Sequence, residues 1–192
     1  MFNLPNVLTM TRVFLIPLLV VVFYTPGEWT YLASGAIFSL AAITDWLDGY
    51  LARRLGLETP FGAFLDPVAD KLIVAVALIL LLEQTASTVF SIPAMIIIGR
   101  EIVISALREW MAELGKRSSV TVSTIGKIKT VMQMIAIIVL LTFSPASFPL
   151  FHQLGLVLLY VAAGLTLWSM VLYLKMAWPE LMHGSDTGSK KG

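Results

Sequence analysis

Four aspartates, Asp45, Asp48, Asp66 and Asp70, fall within residues 45–70 (DWLDGYLARRLGLETPFGAFLDPVAD), among stretches that are otherwise apolar. The first two are three residues apart and the last two four apart, so on helices each pair shares a face. Between them residues 53–60 (RRLGLETP) are polar and short, enough to turn the chain and return a second helix antiparallel to the first. Four carboxylates gathered at the mouth of a helix pair repel one another in a low dielectric unless positive charge sits among them. Hard divalent cations with oxygen ligands, Mg²⁺ or Mn²⁺, suit that need. A two-metal site asks for carboxylates from two backbone segments around ions about 3.5 to 4 Å apart, with positions left open for substrate oxygens. Asp45, Asp48, Asp66 and Asp70 are therefore the candidate ligands of two ions. Caps or solvated helix ends would account for one or two of these acids but not for four in register, and acids within membrane segments are functional by default.

The neighbours of these acids carry further signals. Gly49 sits inside a helical run, where glycine costs about 1 kcal/mol relative to alanine, and Ala52 follows three residues on. Together they leave a bare strip beside the acids, suited either to a flat ligand or to close helix packing. Arg53 can fork onto a diphosphate or a carboxylate, whereas the adjacent Arg54 points elsewhere and suits a lipid headgroup or solvent.

The elements that must position these groups are membrane helices. Of the 192 residues 58% are hydrophobic and 13% charged, well outside the range of a soluble globular domain. A net charge of +1 gives no field that would favour nucleic acid, and the absence of cysteine excludes thiol catalysis, disulfides and thiolate metal sites. His152 and His183, assigned to an outer loop and to the tail, lie too far apart for a histidine metal site. The first apolar run lacks a small-residue cleavage site and holds Arg12 near its start, so it reads as a retained helix.

Apolar runs near residues 7–25, 29–51, 61–82, 90–112, 125–143 and 154–175 each approach the roughly 20 residues that span a bilayer. The expected fold is all-α with six transmembrane helices. No Lys or Arg occurs in residues 13–52, 72–99 or 130–174, so every basic residue falls near one side. The positive-inside rule makes that side the cytoplasm, with both termini and the aspartates there. Lys71 and Arg100 must then lie within helices, served by snorkelling, an acid on a neighbouring helix, or a polar cavity. Thr59 and Pro60 suit the start of the third helix, which places Gly62, Asp66 and Asp70 on one face with Pro67 bending it slightly. Ser123 or Thr124 can cap the fifth helix, Pro145 and Pro149 mark the turn before the sixth, and Pro179 is expected to end it. Residues 1–180 then form one domain and 181–192 a flexible tail. Trp29, Trp110 and Trp178 suit interface anchors.

Asp45, Asp48, Gly49, Ala52, Arg53, Gly62, Asp66 and Asp70, at these spacings, match every fixed position of the CDP-alcohol phosphatidyltransferase motif, and the chain resembles that family. The resemblance extends roughly over residues 2–180. The opening NLPNVLTMTR and the later GREIVISALREWMAELGKRSSVTVSTIGKIKT are similar to bacterial members that use glycerol 3-phosphate as acceptor. It implies a homodimer in a bacterial cytoplasmic membrane that binds CDP-diacylglycerol and sn-glycerol 3-phosphate, and releases CMP. It also implies that the strip at Gly49, Ala52, Arg53 and Gly62 receives the CDP part of the lipid, and that Asp70 takes the proton of the attacking hydroxyl. Metal charge nearby makes such a carboxylate a weak base, so the proton moves late or from an already polarised hydroxyl.

In the amino-terminal segment Asn6, Thr9 and Arg12 are candidates for reaching the nucleotide or diphosphate. A dianionic acceptor needs cations of its own. Arg108, Lys116, Arg117, Lys127 and Lys129 cluster between the fourth and fifth helices, with Arg108 and Lys127 foremost and Arg117 and Arg100 as further candidates; ordinary positive-inside anchoring explains part of this cluster equally well. GKIKT is not a phosphate loop, since no strand precedes it and Ile128 follows the lysine where Ser or Thr belongs. Two rival functions remain open: the same chemistry with another acceptor alcohol, and an ion transporter using the intramembrane acids, against which stands their position at one end of the helices.

Overall fold

The computed structural model describes residues 4–55, 60–113 and 124–183, and the regular elements among them are six helices. They are α1 (Leu4–Tyr24), α2 (Trp29–Leu55), α3 (Pro60–Thr85), α4 (Thr88–Glu113), α5 (Thr124–Thr142) and α6 (Pro149–His183). Each expected apolar run falls on one of these six, with α6 extending past its run at both ends, and the all-α class holds. Three of the helices contain stretches long and apolar enough to cross a membrane, Val7–Tyr24, Thr88–Glu113 and Pro149–Met176, with Ile128–Thr142 a shorter apolar one.

Helix α3 starts at Pro60, a position where the missing N–H costs nothing. Thr59 and Ser123, the proposed caps, lie outside the described residues. Two expectations are corrected. Helix α6 begins at Pro149 and runs through Pro179 to His183, so Pro179 does not end it, and His152 and His183 are both helical rather than in a loop and a tail. A proline removes a single helix hydrogen bond, and the long apolar stretch before Pro179 fixes the helix axis regardless.

Three tight turns share one end of the bundle. Gly27 takes φ 133° between α1 and α2, a conformation open to a residue without Cβ. Ala86 adopts φ 43° between α3 and α4, where the Ser87 hydroxyl accepts the Val89 N–H at 3.2 Å and caps α4. Between α5 and α6 the Ser144 hydroxyl accepts the Ala146 N–H at 3.3 Å. The opposite end carries the aspartates.

Helix α1 packs on α2 and α3, α2 on α5, α5 on α6 and α6 on α4. One apolar core runs through them, built from Leu15, Leu19, Phe38, Ile73, Leu78, Leu81, Phe90, Ile97, Ile137, Leu140 and Leu159 among others. Close approach is bought with glycine at two places: a Cβ on Gly35 would meet Thr142 Oγ1 at 1.9 Å, and one on Gly155 would meet Leu140 Cγ at 2.8 Å. Outward-facing large apolar side chains, Phe14 and Phe64 among them at 70% exposed, would be unfavourable in water and suit lipid.

Candidate active site

The site is assembled by two side chains of α1. Thr9 and Arg12, three residues apart, share the helix face that packs on α2 and α3, and both are buried. Arg12 Nη1 lies 2.7 Å from Asp45 Oδ1, and its Nη2 donates to Asp48 Oδ2. The Thr9 hydroxyl donates to Asp66 Oδ1, with Asp48 Oδ2 at 3.5 Å. A hydroxyl has one hydrogen to give, so the bond goes to Asp66 and Asp48 stands beside it. Asp45 and Asp48 of α2 and Asp66 of α3 are thereby drawn to one point. Three of the four acids expected to converge meet here, and the positive charge among them is a guanidinium.

Asp70, one turn beyond Asp66, takes no part in those contacts. Its carboxyl lies in the combined field of Asp45, Arg12, Glu101 and Lys71, between the acidic cluster and α4. On α4, Arg100 is buried and paired with Glu101 at 2.6 Å. The expected partner on a neighbouring helix is thus replaced by the adjacent residue of the same helix. Lys129 of α5 is buried within the field of Arg100, Glu101 and Arg108, and Gln133, one turn on, is buried too. Arg108 is exposed, its guanidinium 5.6 Å from the centre of the Tyr173 ring of α6. Gly62 is buried one turn before Asp66. The side chains of Asn6, Ala52, Arg53 and Lys127, the environment of Gly49, and all of Lys116 and Arg117 lie outside the described residues.

A hard divalent cation fits the donor set, which consists of carboxylate oxygens and one hydroxyl converging from three helices. As they stand, no three His, Asp or Glu side chains among the described residues are arranged to hold a metal ion, and Arg12 is paired with both Asp45 and Asp48. Sequence reasoning placed Arg12 toward nucleotide and missed its pairing with the aspartates, as it missed Glu101 and the burial of Lys129. A signal for the first exists in the sequence: an arginine inside an apolar helix needs acids at its own depth, and Asp45 and Asp48 lie at that end of α2.

Residues 2–168 match the CDP-alcohol phosphatidyltransferase family. The chain is 55% identical over 180 residues to the CDP-diacylglycerol–glycerol-3-phosphate 3-phosphatidyltransferase of Pseudomonas fluorescens, covering 93% of this chain and 92% of that one. It is 56% identical over 181 residues to the protein of the same name from Salmonella choleraesuis (strain SC-B67), and 55% identical over 181 residues to that from Shigella flexneri, with 94% of this chain and 98% of the relative covered in both. With its aspartates gathered across α2 and α3 and the match spanning most of its length, this chain belongs to the CDP-alcohol phosphatidyltransferase family.

Proposed function

We propose that this protein transfers the phosphatidyl group of CDP-diacylglycerol to sn-glycerol 3-phosphate, giving phosphatidylglycerophosphate and CMP. It would do so as a six-span enzyme of the bacterial cytoplasmic membrane, with both termini and the site on the cytoplasmic side, two Mg²⁺ or Mn²⁺ ions as cofactors, and a homodimeric state. The observation that carries the reading is the convergence of Asp45, Asp48 and Asp66 on Thr9 and Arg12. The names of the relatives support the choice of substrates, and the resemblance of the motif supports the metals and the dimer.

Asp45, Asp48, Asp66 and Asp70 would hold the metal ions, which when bound neutralise the diphosphate and the departing CMP. Around them the chain's own residues divide the work. Arg12 keeps a buried Nε that has no acceptor among the described residues, a donor available to a diphosphate oxygen. Gly49, Ala52, Arg53 and Gly62, with Asn6 and Thr9, line the donor side of this reading. Arg100 and Lys129, buried cations beyond Asp70, are suited to the acceptor's phosphate, with Arg108, Lys127 and Arg117 drawing the dianion inward from the surface. A glycerol hydroxyl between the two groups attacks the phosphatidyl phosphorus, the bond from phosphorus to the CMP oxygen breaks, and the hydroxyl proton passes to Asp70.

Purified protein supplied with CDP-diacylglycerol and glycerol 3-phosphate is expected to release CMP, and Asp70→Asn to lower kcat by about 10²- to 10⁴-fold, the usual worth of a general base. Faster CMP release with serine, inositol phosphate or a second phosphatidylglycerol as acceptor would overturn the acceptor assignment. Divalent-ion flux into proteoliposomes without CMP release would overturn the enzyme itself.

A further inference from the structure

At the end of the bundle opposite the aspartates, a cavity of about 400 Å³ opens between the start of α2 and the ends of α1, α3 and α5. That volume is in the range of small-molecule sites. Its polar lining is Thr25, Glu28, Thr30, Tyr31, Ser34 and Gln84. The hydroxyls of Thr25 and Thr30 donate to the carbonyls of Val21 and Gly27 at 2.8 and 2.7 Å, so toward the cavity they present lone pairs. Ser34 is buried at 1% exposure and its Oγ has no partner among the described residues. Among the described residues the Glu28 carboxylate receives a single donor, Ser147 Oγ at 3.3 Å, which leaves most of its acceptor capacity open. The nearby Glu83 is engaged by Tyr24. No Lys or Arg lies in residues 13–52, 72–99 or 130–174, so no basic side chain from these helix ends competes for the site.

A cavity rich in acceptors, with one carboxylate and no cationic side chain, calls for a cationic ligand with several N–H donors. A bare divalent ion fits poorly, since it asks for more carboxylates and a smaller space. Tyr31 adds a second feature. Its hydroxyl oxygen already accepts Gln84 Nε2 at 2.8 Å, so its own hydrogen is free for an anionic oxygen a few atoms from the cation. Trp29, 57% exposed beside Glu28, sets this level at the bilayer interface.

We infer that this cavity binds a primary ammonium group, carried by an aminophospholipid headgroup of the outer leaflet, with the ammonium on Glu28 and Ser34 and the phosphate toward Tyr31. The leaflet rests on the six-span orientation proposed above; the chemistry of the cavity does not.

The test reads lipid binding and leaves the distant catalytic end as an internal control. Full-length protein in detergent is titrated with phosphatidylethanolamine or phosphatidylcholine of identical acyl chains, and bound lipid is counted by native mass spectrometry. Phosphatidylethanolamine is expected to bind in preference to its trimethylated counterpart, which has no N–H to donate. Glu28→Gln should weaken that binding by about tenfold or more, and Ser34→Ala by about threefold, in line with charged and neutral hydrogen bonds. Free ethanolamine that displaces the lipid would support the ammonium site with the headgroup alone sufficient, while failure to displace would support recognition of the whole phosphoethanolamine group. Equal binding of the two lipids, or binding unchanged by Glu28→Gln, would overturn the proposal. CMP release by Glu28→Gln is expected at the wild-type rate, so failure here is separable from failure of the proposed reaction.

Discussion

Arg12 carries the most consequential contacts in the molecule. A fully buried guanidinium is tolerated only where acids meet it, and removing one partner of such a pair typically costs about 3 to 5 kcal/mol because the other charge is left uncompensated. Here the acids it meets are the candidate metal ligands, so in the proposed metal-bound enzyme the guanidinium and a divalent cation would compete for Asp45 and Asp48. Arg12→Gln is therefore expected to lower the melting temperature by more in chelator than in saturating Mn²⁺, a difference that thermal melts under the two conditions would show. An equal loss in both would mean that Arg12 and the ion do not share these carboxylates. Thr9 meets Asp66 through its hydroxyl. Thr9→Val should cost about 1 to 3 kcal/mol of interaction with Asp66 and raise KM for the lipid donor, while Thr9→Ser keeps the bond and most of the activity. At this scale the acids themselves were legible from their spacing. Their counter-charge was not, because which side chain of α1 reaches α2 and α3 depends on how α1 is rotated against them, and a helix that is apolar on nearly every side records no such rotation in its sequence.

Helices meet here through missing side chains as much as through present ones. Helix α2 approaches α5 so closely at Gly35 that an alanine methyl would fall on Thr142. Gly35→Ala is expected to destabilise the bundle by about 1 to 3 kcal/mol, the usual effect of overpacking, and Thr142→Ala in the same chain should recover much of it. Denaturant or thermal unfolding of the two variants and their combination would check this. The positions of the helices followed from the apolar runs, although α6 extends past its run of 154–175 at both ends, and the proline at the start of α3 was placed correctly. The far end of α6 was not, since proline rules describe a local cost and cannot weigh it against the apolar run that precedes it. The basic cluster shows the same limit: the cations were visible as a cluster, but that Arg100 and Lys129 are buried while Arg108 lies over Tyr173 depends on the pairing of α4 with α6, which no local pattern encodes.

Across the whole molecule the two ends differ in kind. One has tight turns free of Lys and Arg, and the other has the aspartates, the buried cations and the longest connection, residues 114–123. Because the chain contains no cysteine, single-cysteine labelling can test the proposed orientation directly. Ser87→Cys and Ser147→Cys should react with an impermeant maleimide in cells whose outer membrane has been permeabilised, and Glu113→Cys only once the cytoplasmic membrane is opened. The reverse pattern would invert the orientation.

The bonds from α1 to the aspartates also bear on how such a chain matures. Arg12 meets Asp48 across 36 positions and Thr9 meets Asp66 across 57. During synthesis the first hairpin therefore enters the bilayer with a charge whose neutralisation depends on α2, and with a hydroxyl whose acceptor has yet to leave the ribosome. The aspartate cluster cannot close until α3 has arrived, so a nascent chain halted before it would leave its leading helix poorly anchored and open to quality-control proteolysis.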